Sequence, residues 1–470
     1  MKIPMIEPTS RPVGAAPLFR PLADAIGVVS IGHPLVAWDP RPCRVSPGER
    51  ILLMLWDILA GKTPLYRLAE RLTTTDVAML VGQGRRPEDC TDDSLGRALD
   101  KLHRAGPAKV FSAWALAAYA HDGITLETGH FDTTSRSVAG AFAAREGPGV
   151  HPASGDSQDH RPDLQPIRMT LLVNREGVPL FGTVESGHRS DKTLNAARID
   201  RLVQAFTPEP WRDLIDVADS ALVTRPNLAQ LERAGIRFVS RCPETFAAVA
   251  AAKAAAWAAD AWIPVGRLAI RVDGAPDWAS EQSGIIDGRT YRLVVSRSSA
   301  GDPRAQRAVD RAIAADRDTL ERTARTLAAE TFACEADAQA ALDRWRATAV
   351  EGWHPVSGTV VSRTHQTRRG RPRKAADADT VTPGHVVPTV GPVDETRRQR
   401  AVAQRSAFVL ITTVPADRLS AAELLAEYKG QVHVERHFHF LKDPLLVDAL
   451  CVKQPERLEA LGYVWLGACL

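Results

Sequence analysis

The chain has 470 residues, 44% of them hydrophobic and 24% charged, and a formal net charge of +3. That balance belongs to a folded globular protein of several domains and excludes a small stapled fold, a fibre and a disordered chain. The six cysteines (Cys43, Cys90, Cys242, Cys334, Cys451 and Cys469) show no C-x-x-C or Cys/His clustering, so they read as reduced thiols rather than a zinc site. The N-terminus lacks the apolar core of a signal peptide, and no apolar run reaches the roughly eighteen residues that a span needs. A cytoplasmic protein with no membrane partner is expected. The small net charge does not exclude nucleic acid, because basic patches can hide among acidic ones.

Residues 1–122 are expected to form an all-helical N-terminal domain. Segments such as GERILLMLWDILAGK and LGRALDKLHRAGPAKVFSAWALAAYA carry helical apolar spacing between short polar breaks. The TDDS run before LGRALDKL reads as a helix cap, with Asp92 and Asp93 against the positive end of the helix rather than in catalysis. At Gly123 the pattern changes to a mixed α/β core over 123–242. A strand passes through GITLETGHFDTTSRSVAG, and a hairpin joins IRMTLLVN (167–174) to VPLFGTVES (178–186) through Arg175, Glu176 and Gly177. A helix around 191–206, the strand-like LIDVADSAL, a helix around 226–234 and the strand IRFVSRC complete this part.

Residues 243–405 change character again, with Ala-rich helices (246–262 and 303–350), some strand-like pieces and the basic segment SRTHQTRRGRPRKAADADTVTPG. They are expected to be an insertion bearing an exposed basic arm. The core resumes over 406–470 with the strand AFVLITTV and a single helix through LSAAELLAEYKGQVHVERHFHFLKD.

Three carboxylates stand out. Asp132 lies in the strand-like HFDTTS, where a buried carboxylate is costly unless satisfied, and Asp219 ends the apolar run LIDVADSAL. Open α/β sheets place ligands beyond strand C-termini, although either aspartate taken alone is more often a turn or cap residue. Glu435 shares a helical stripe with Tyr428 and Lys442, spaced at seven-residue intervals close to two turns. A wholly solvated face is the bland alternative; the neighbouring Phe438, Phe440 and Leu441 argue for partial burial. Hard oxygen ligands of this kind suit two Mg²⁺ or Mn²⁺ ions. His433, His437 and His439 lack the H-E-x-x-H arrangement and read as structural.

The stretch from Tyr428 to Lys442 resembles the Y-x2-R-x3-E-x6-K signature of insertion-sequence transposases with a ribonuclease H-like fold. HFDTTS and DVADSALVTRPNL resemble the segments bearing the first and second catalytic aspartates of that group, and DHRPDLQP (159–166) and TDDSLGRALDKLH are also similar to it. The resemblance implies a DDE transposase of a bacterial insertion sequence with a ribonuclease H-like mixed-sheet core interrupted by a large insertion. It makes Asp132, Asp219 and Glu435 the catalytic, metal-binding triad. Tyr428 and Lys442 would contact DNA beside it, with Arg436 either a phosphate contact or a surface ion pair.

One departure matters: the Arg of the signature is Gln431 here, so positive charge must come from elsewhere, with Lys429 and Arg436 as candidates. The group implies double-stranded DNA partners, namely terminal inverted repeats and target DNA. It also implies a homodimer on DNA and a nucleoid-associated location. Arg369-Gly370-Arg371-Pro372 resembles the core of an AT-hook, an arm whose arginines enter a narrow minor groove.

Two other readings stand beside this one. The chain stops within the apolar helical pattern RLEALGYVWLGACL, where members of the group commonly continue. That favours a catalytically impaired or domesticated DNA-binding derivative. A different metal-dependent nuclease of the same fold is disfavoured by the Tyr428 to Lys442 pattern and the helical N-terminal part.

Overall fold

Apolar residues at helical spacing give a run of helices over the first part of the chain: α1 (Ala16–Ala25), α2 (Val28–Leu35), α3 (Pro47–Ala60), α4 (Leu68–Thr73), α5 (Val77–Val81), α6 (Asp92–Ala105) and α7 (Pro107–Asp122). The structure is a computed structural model that describes residues 14–36, 38–39, 41, 43–60, 63, 65–138, 149–152, 165–205, 213–268, 276–298, 303–349, 352–362, 365–366, 380–442 and 454–470. The cap of α6 is Thr91, whose side chain accepts from the Ser94 amide at 3.3 Å, with Asp92 and Asp93 in the first turn. The acidic residues therefore sit at the positive helix end, and the capping hydroxyl lies three residues earlier than Ser94.

Alternation and β-branching then give β1 (Thr128–Val138), β2 (Gln165–Val173) and β3 (Pro179–Ser186), followed by α8 (Asp191–Ala205), β4 (Ile215–Ala218), α9 (Arg225–Ala234), β5 (Arg237–Arg241) and α10 (Ala247–Ala259). Next come β6 (Ile263–Gly266), β7 (Asp277–Ile286), β8 (Arg289–Ser298), α11 (Pro303–Ala329), α12 (Glu335–Thr348), β9 (Val356–Ser362), β10 (His365–Gln366), β11 (Thr380–Val381), β12 (Gly384–Val390) and α13 (Glu395–Ser406). The described chain ends with β13 (Phe408–Thr412), α14 (Ala421–Lys429), α15 (Val432–Leu441) and α16 (Pro455–Gly467). Among the described residues, no helix is long and apolar enough to cross a membrane. Cys43, Cys90, Cys242, Cys334 and Cys469 are free thiols.

The chain divides into two compact units, one of Met1–Val249, Ser283–Leu293 and Leu410–Leu470, the other of Ala250–Gln282 and Val294–Val409. In the first unit a mixed sheet runs in the order β3-β2-β1-β4-β5-β13. The β1–β2, β2–β3 and β5–β13 pairs are antiparallel, whereas β1–β4 and β4–β5 are parallel. The β2–β3 turn is tight: Gly177 has φ 89° and donates to the Asn174 carbonyl at 3.0 Å, and the Asn174 side chain accepts from the Val178 amide at 2.7 Å. Only glycine adopts that backbone without strain.

Helices cover both faces of the parallel half. On one face Arg198 of α8 lies 3.9 Å over the Phe131 ring and pairs with Asp216. On the other, Glu427 of α14 meets His130 at 3.0 Å. Coverage on both sides explains why all of β4 is buried and almost wholly apolar.

The N-terminal helices belong to the same unit as this sheet. One hydrophobic core joins Leu52, Leu95, Leu99 and Trp114 of the helices to Met169, Leu171 and Val184 of the strands and to Leu461, Val464 and Trp465 of α16. One close approach is at Gly462, where an added Cβ would stand 2.7 Å from Val184 Cγ2 and 2.8 Å from Val184 Cγ1. Val184 is stiff at χ1 and buried, so it cannot swing away. Gly462→Val is therefore expected to overpack this seam and destabilise the unit by about 1–3 kcal/mol, read as a lower urea midpoint at unchanged m-value. A midpoint equal to that of the wild type would contradict the packing.

In the second unit α11 and α12 lie on the antiparallel β9–β12 ribbon around Ala324, Leu327, Ala338, Leu342, Trp345 and Val386. The Trp345 indole N–H donates to Thr323 Oγ1 at 2.9 Å. This ribbon and the short β10–β11 pair flank the basic segment. Residues on both sides of the basic stretch pair across strands, because Val, Thr and Ser alternate there in a way that the high charge of the segment obscured. Arg369 and Arg371 lie outside the described residues.

Candidate active site

The parallel register sets the site. Phe131 of β1 pairs with Ala218 of β4, and Ala218 with Ser240 of β5. One step further along the same three strands stand Asp132, Asp219 and Arg241. Adjacent strands lie about 4.8 Å apart, so these side chains leave the backbone as a short row at the C-terminal edge of the parallel half. Ser240 Oγ donates to the Asp219 carbonyl at 2.7 Å and holds the β4–β5 side of that edge. Asp132 lies within its strand: β1 continues to Val138, and β2 pairs with it there, Asp132 opposite Leu171. What ends at Phe131 is the pairing with β4.

Side chains alternate along a strand, so His130, Asp132, Thr134 and Arg136 share a face of β1. That face receives α14, α15 and α16. His130, which is fully buried, meets Glu427 Oε1, and Arg175 from the β2–β3 turn donates to Glu427 Oε2 at 2.6 Å. Farther along, Arg136 donates to the Leu441 carbonyl, and its guanidinium lies 4.2 Å over the Trp465 ring. A cation there complements the negative end of α15. Val434, Phe438 and Leu441 form the buried stripe of that helix, and His437 bonds the Gly177 carbonyl at 2.6 Å.

The single helix expected from Ser420 to Lys442 is two helices. α14 stops at Lys429 and α15 starts at Val432, with Gly430 and Gln431 at ψ −10° and −16° between them. The cause is close approach: a Cβ on Gly430 would lie 2.9 Å from the Glu427 carbonyl oxygen and 3.1 Å from His130 Cε1. A glycine lets the chain press onto β1 there, and glycine also weakens helix. Tyr428 and Glu435 therefore belong to different helices, and the unbroken stripe expected of them does not exist.

Tyr428 nevertheless links the carboxylates. Burial pushes its phenol up to about 12; Arg241 opposes the rise, and Asp219, Asp132 and Glu435 add to it. All three predicted acids, with Arg241, thus lie within electrostatic reach of one half-buried hydroxyl. Asp132 and Asp219 are half-buried, whereas Glu435 and Arg241 are exposed.

Asp132 Oδ1 accepts from the Thr133 amide at 2.7 Å, and Asp219 Oδ1 from the Ala221 amide at 3.1 Å. Among the described residues no group of three or more His, Cys, Asp or Glu side chains could hold a metal ion as they stand. The donor chemistry of the three acids suits a hard cation; the side chains would have to turn inward to bind one.

Residues 11–116 match a family described as a domain of unknown function, DUF4277. This domain is found in transposase-like proteins. No curated protein matches the chain. The matched stretch covers most of the N-terminal helices and stops short of the carboxylate row.

The other predicted residues are placed as follows. Lys429 is the last residue of α14 and Lys442 caps α15, both half-buried, and Arg436 is exposed on α15. Residues 159–164 of the DHRPDLQP segment lie outside the described residues. Arg241, His130, Arg175 and Glu427 escaped the sequence reading, since nothing in single-sequence spacing ties residue 130 to residue 427.

Burial pushes the Glu427 carboxyl up, but hydrogen bonds from His130 and Arg175 outweigh it and hold the group at about 2. A carboxyl lowered in this way stabilises the fold fully above its ordinary value near 4.5 and loses that contribution as pH falls towards 2. Glu427→Gln is expected to lower the urea midpoint at pH 6 and to show a shallower acid dependence than the wild type below about pH 4.5. Parallel pH profiles for the two proteins would contradict this.

Proposed function

We propose that the chain is a DDE-type transposase that cleaves DNA at insertion-sequence ends and joins them to target DNA by phosphoryl transfer. The observation that carries this reading is the placement of Asp132 and Asp219 on neighbouring strands, each one step past the last β1–β4 pair, with Glu435 in the same electrostatic neighbourhood around Tyr428. The mixed order of the sheet is consistent with a ribonuclease H-like core, and the match over residues 11–116 agrees with the transposase reading.

Asp132, Asp219 and Glu435 would hold the divalent ions, Mg²⁺ or Mn²⁺. Bound there, such a pair activates the attacking oxygen and stabilises the leaving one in an in-line displacement. The Tyr428 phenol stays protonated at neutral pH and can donate a hydrogen bond to a phosphate oxygen. Lys429, Lys442 and Arg436 supply positive charge on the two helices beside it. The proposed partners are the terminal repeats, target DNA and a second copy of the chain, so that two ends are handled together.

The alternative is a DNA-binding derivative without catalysis. The two are separated by incubating the purified full chain with labelled element-end DNA in Mg²⁺ and in chelator. Nicking that requires the metal is the expected result. Retention of DNA without nicking selects the second reading, and neither retention nor nicking overturns both.

A further inference from the structure

We propose that Arg241 is the guanidinium that grips the DNA phosphate beside the carboxylate row, in the place that Gln431 leaves without charge. This rests on the transposase reading. The geometry behind it is the strand register: Ser240 pairs with Ala218, and Ala218 with Phe131. Arg241, Asp219 and Asp132 therefore stand side by side on three adjacent strands, one step past that paired row. Arg241 is still within the sheet, opposite Leu410 of β13, so its backbone is fixed while its side chain is exposed. It also lies within electrostatic reach of Tyr428 together with Asp219, Asp132 and Glu435.

A polyanion approaching three carboxylates is repelled unless cations stand among them. Lysines and arginines on α14 and α15 supply such charge from the helix side. Arg241 supplies it from the sheet side, and its planar fork of donors matches two phosphate oxygens at once, which glutamine cannot do. The chemical class recognised is a phosphodiester of the nucleic-acid backbone.

Arg241→Gln and Arg241→Lys would be compared with the wild type in the full chain, on labelled element-end DNA. Two readouts are taken: the Mg²⁺-dependent nicking rate at saturating DNA, and the dependence of DNA affinity on salt. Arg241→Gln is expected to nick roughly 10²–10³-fold more slowly, as when one fixed donor to a developing negative charge is lost. It should also reduce the slope of log affinity against log salt by about 1. Arg241→Lys should restore the slope but only part of the rate, because a point charge replaces the fork.

A purely structural role for Arg241 would instead lower the thermal midpoint of both variants and leave the salt slope unchanged. That result overturns the proposal, as does Arg241→Gln nicking at the wild-type rate. In either case the transposase reading survives if the wild type nicks in Mg²⁺. If the wild type neither nicks nor retains DNA, both fall.

Discussion

Asp219→Asn, Asp132→Asn and Glu435→Gln are each expected to lower Mg²⁺-dependent nicking of element-end DNA by roughly 10³-fold or more. The amide substitutions isolate charge from structure. Asp219 Oδ1 accepts from the Ala221 amide and Asp132 Oδ1 from the Thr133 amide, and an Asn side chain still offers a carbonyl oxygen in each place. The turn after β4 should therefore remain capped while the hard anionic ligand is lost.

The sign of the binding effect is equally specific. Three carboxylates near a phosphate backbone repel it, so in chelator each variant should retain DNA as well as the wild type or more tightly. Loss of nicking together with loss of retention in chelator would point to a folding defect and count against the assignment. Nicking by Asp219→Asn at the wild-type rate would remove Asp219 from the reaction altogether.

Asp216→Ala is expected to destabilise the first unit by about 3–5 kcal/mol. Arg198 and Asp216 are 1% and 0% exposed, and Arg198 Nη2 donates to Asp216 Oδ2 at 2.8 Å and to Asn195 Oδ1 at 3.3 Å. Removing the carboxylate leaves a guanidinium trapped between α8 and the sheet with its main partner gone. The double substitution Arg198→Met with Asp216→Leu should recover most of the loss, because an apolar pair of similar size carries no desolvation cost. Urea unfolding of both single variants and the double variant measures the coupling. If the two single losses simply add, the pair is not the lock that its burial implies.

Asp132 and Asp219, the two aspartates of the proposed site, stood out because each follows an apolar or β-branched run, and those runs became β1 and β4. The register that makes them neighbours was not legible. Arg241 closes IRFVSR like any charged residue at a strand end, and only pairing through Ala218 places it beside Asp219. The break after Lys429 was hidden for a related reason. Gly430 sits within a sequence of strong helical spacing, and what forces glycine there is His130, three hundred residues earlier. The buried trio of His130, Glu427 and Arg175 illustrates the same limit, since each residue alone reads as an ordinary polar residue. The pairing of the strands that flank the basic segment was not legible, because it joins residues on either side of a highly charged stretch.

Strand order also has a temporal side. β1, β4 and β5 all precede the second unit in the chain, whereas α15 follows it. A ribosome therefore delivers Asp132, Asp219 and Arg241 well before Glu435, and a nascent polypeptide carries two of the three acids throughout the stretch from residue 219 to residue 434. On the proposed reading, a partly made chain is unarmed, and the cell's own DNA is spared until translation has passed the last acid.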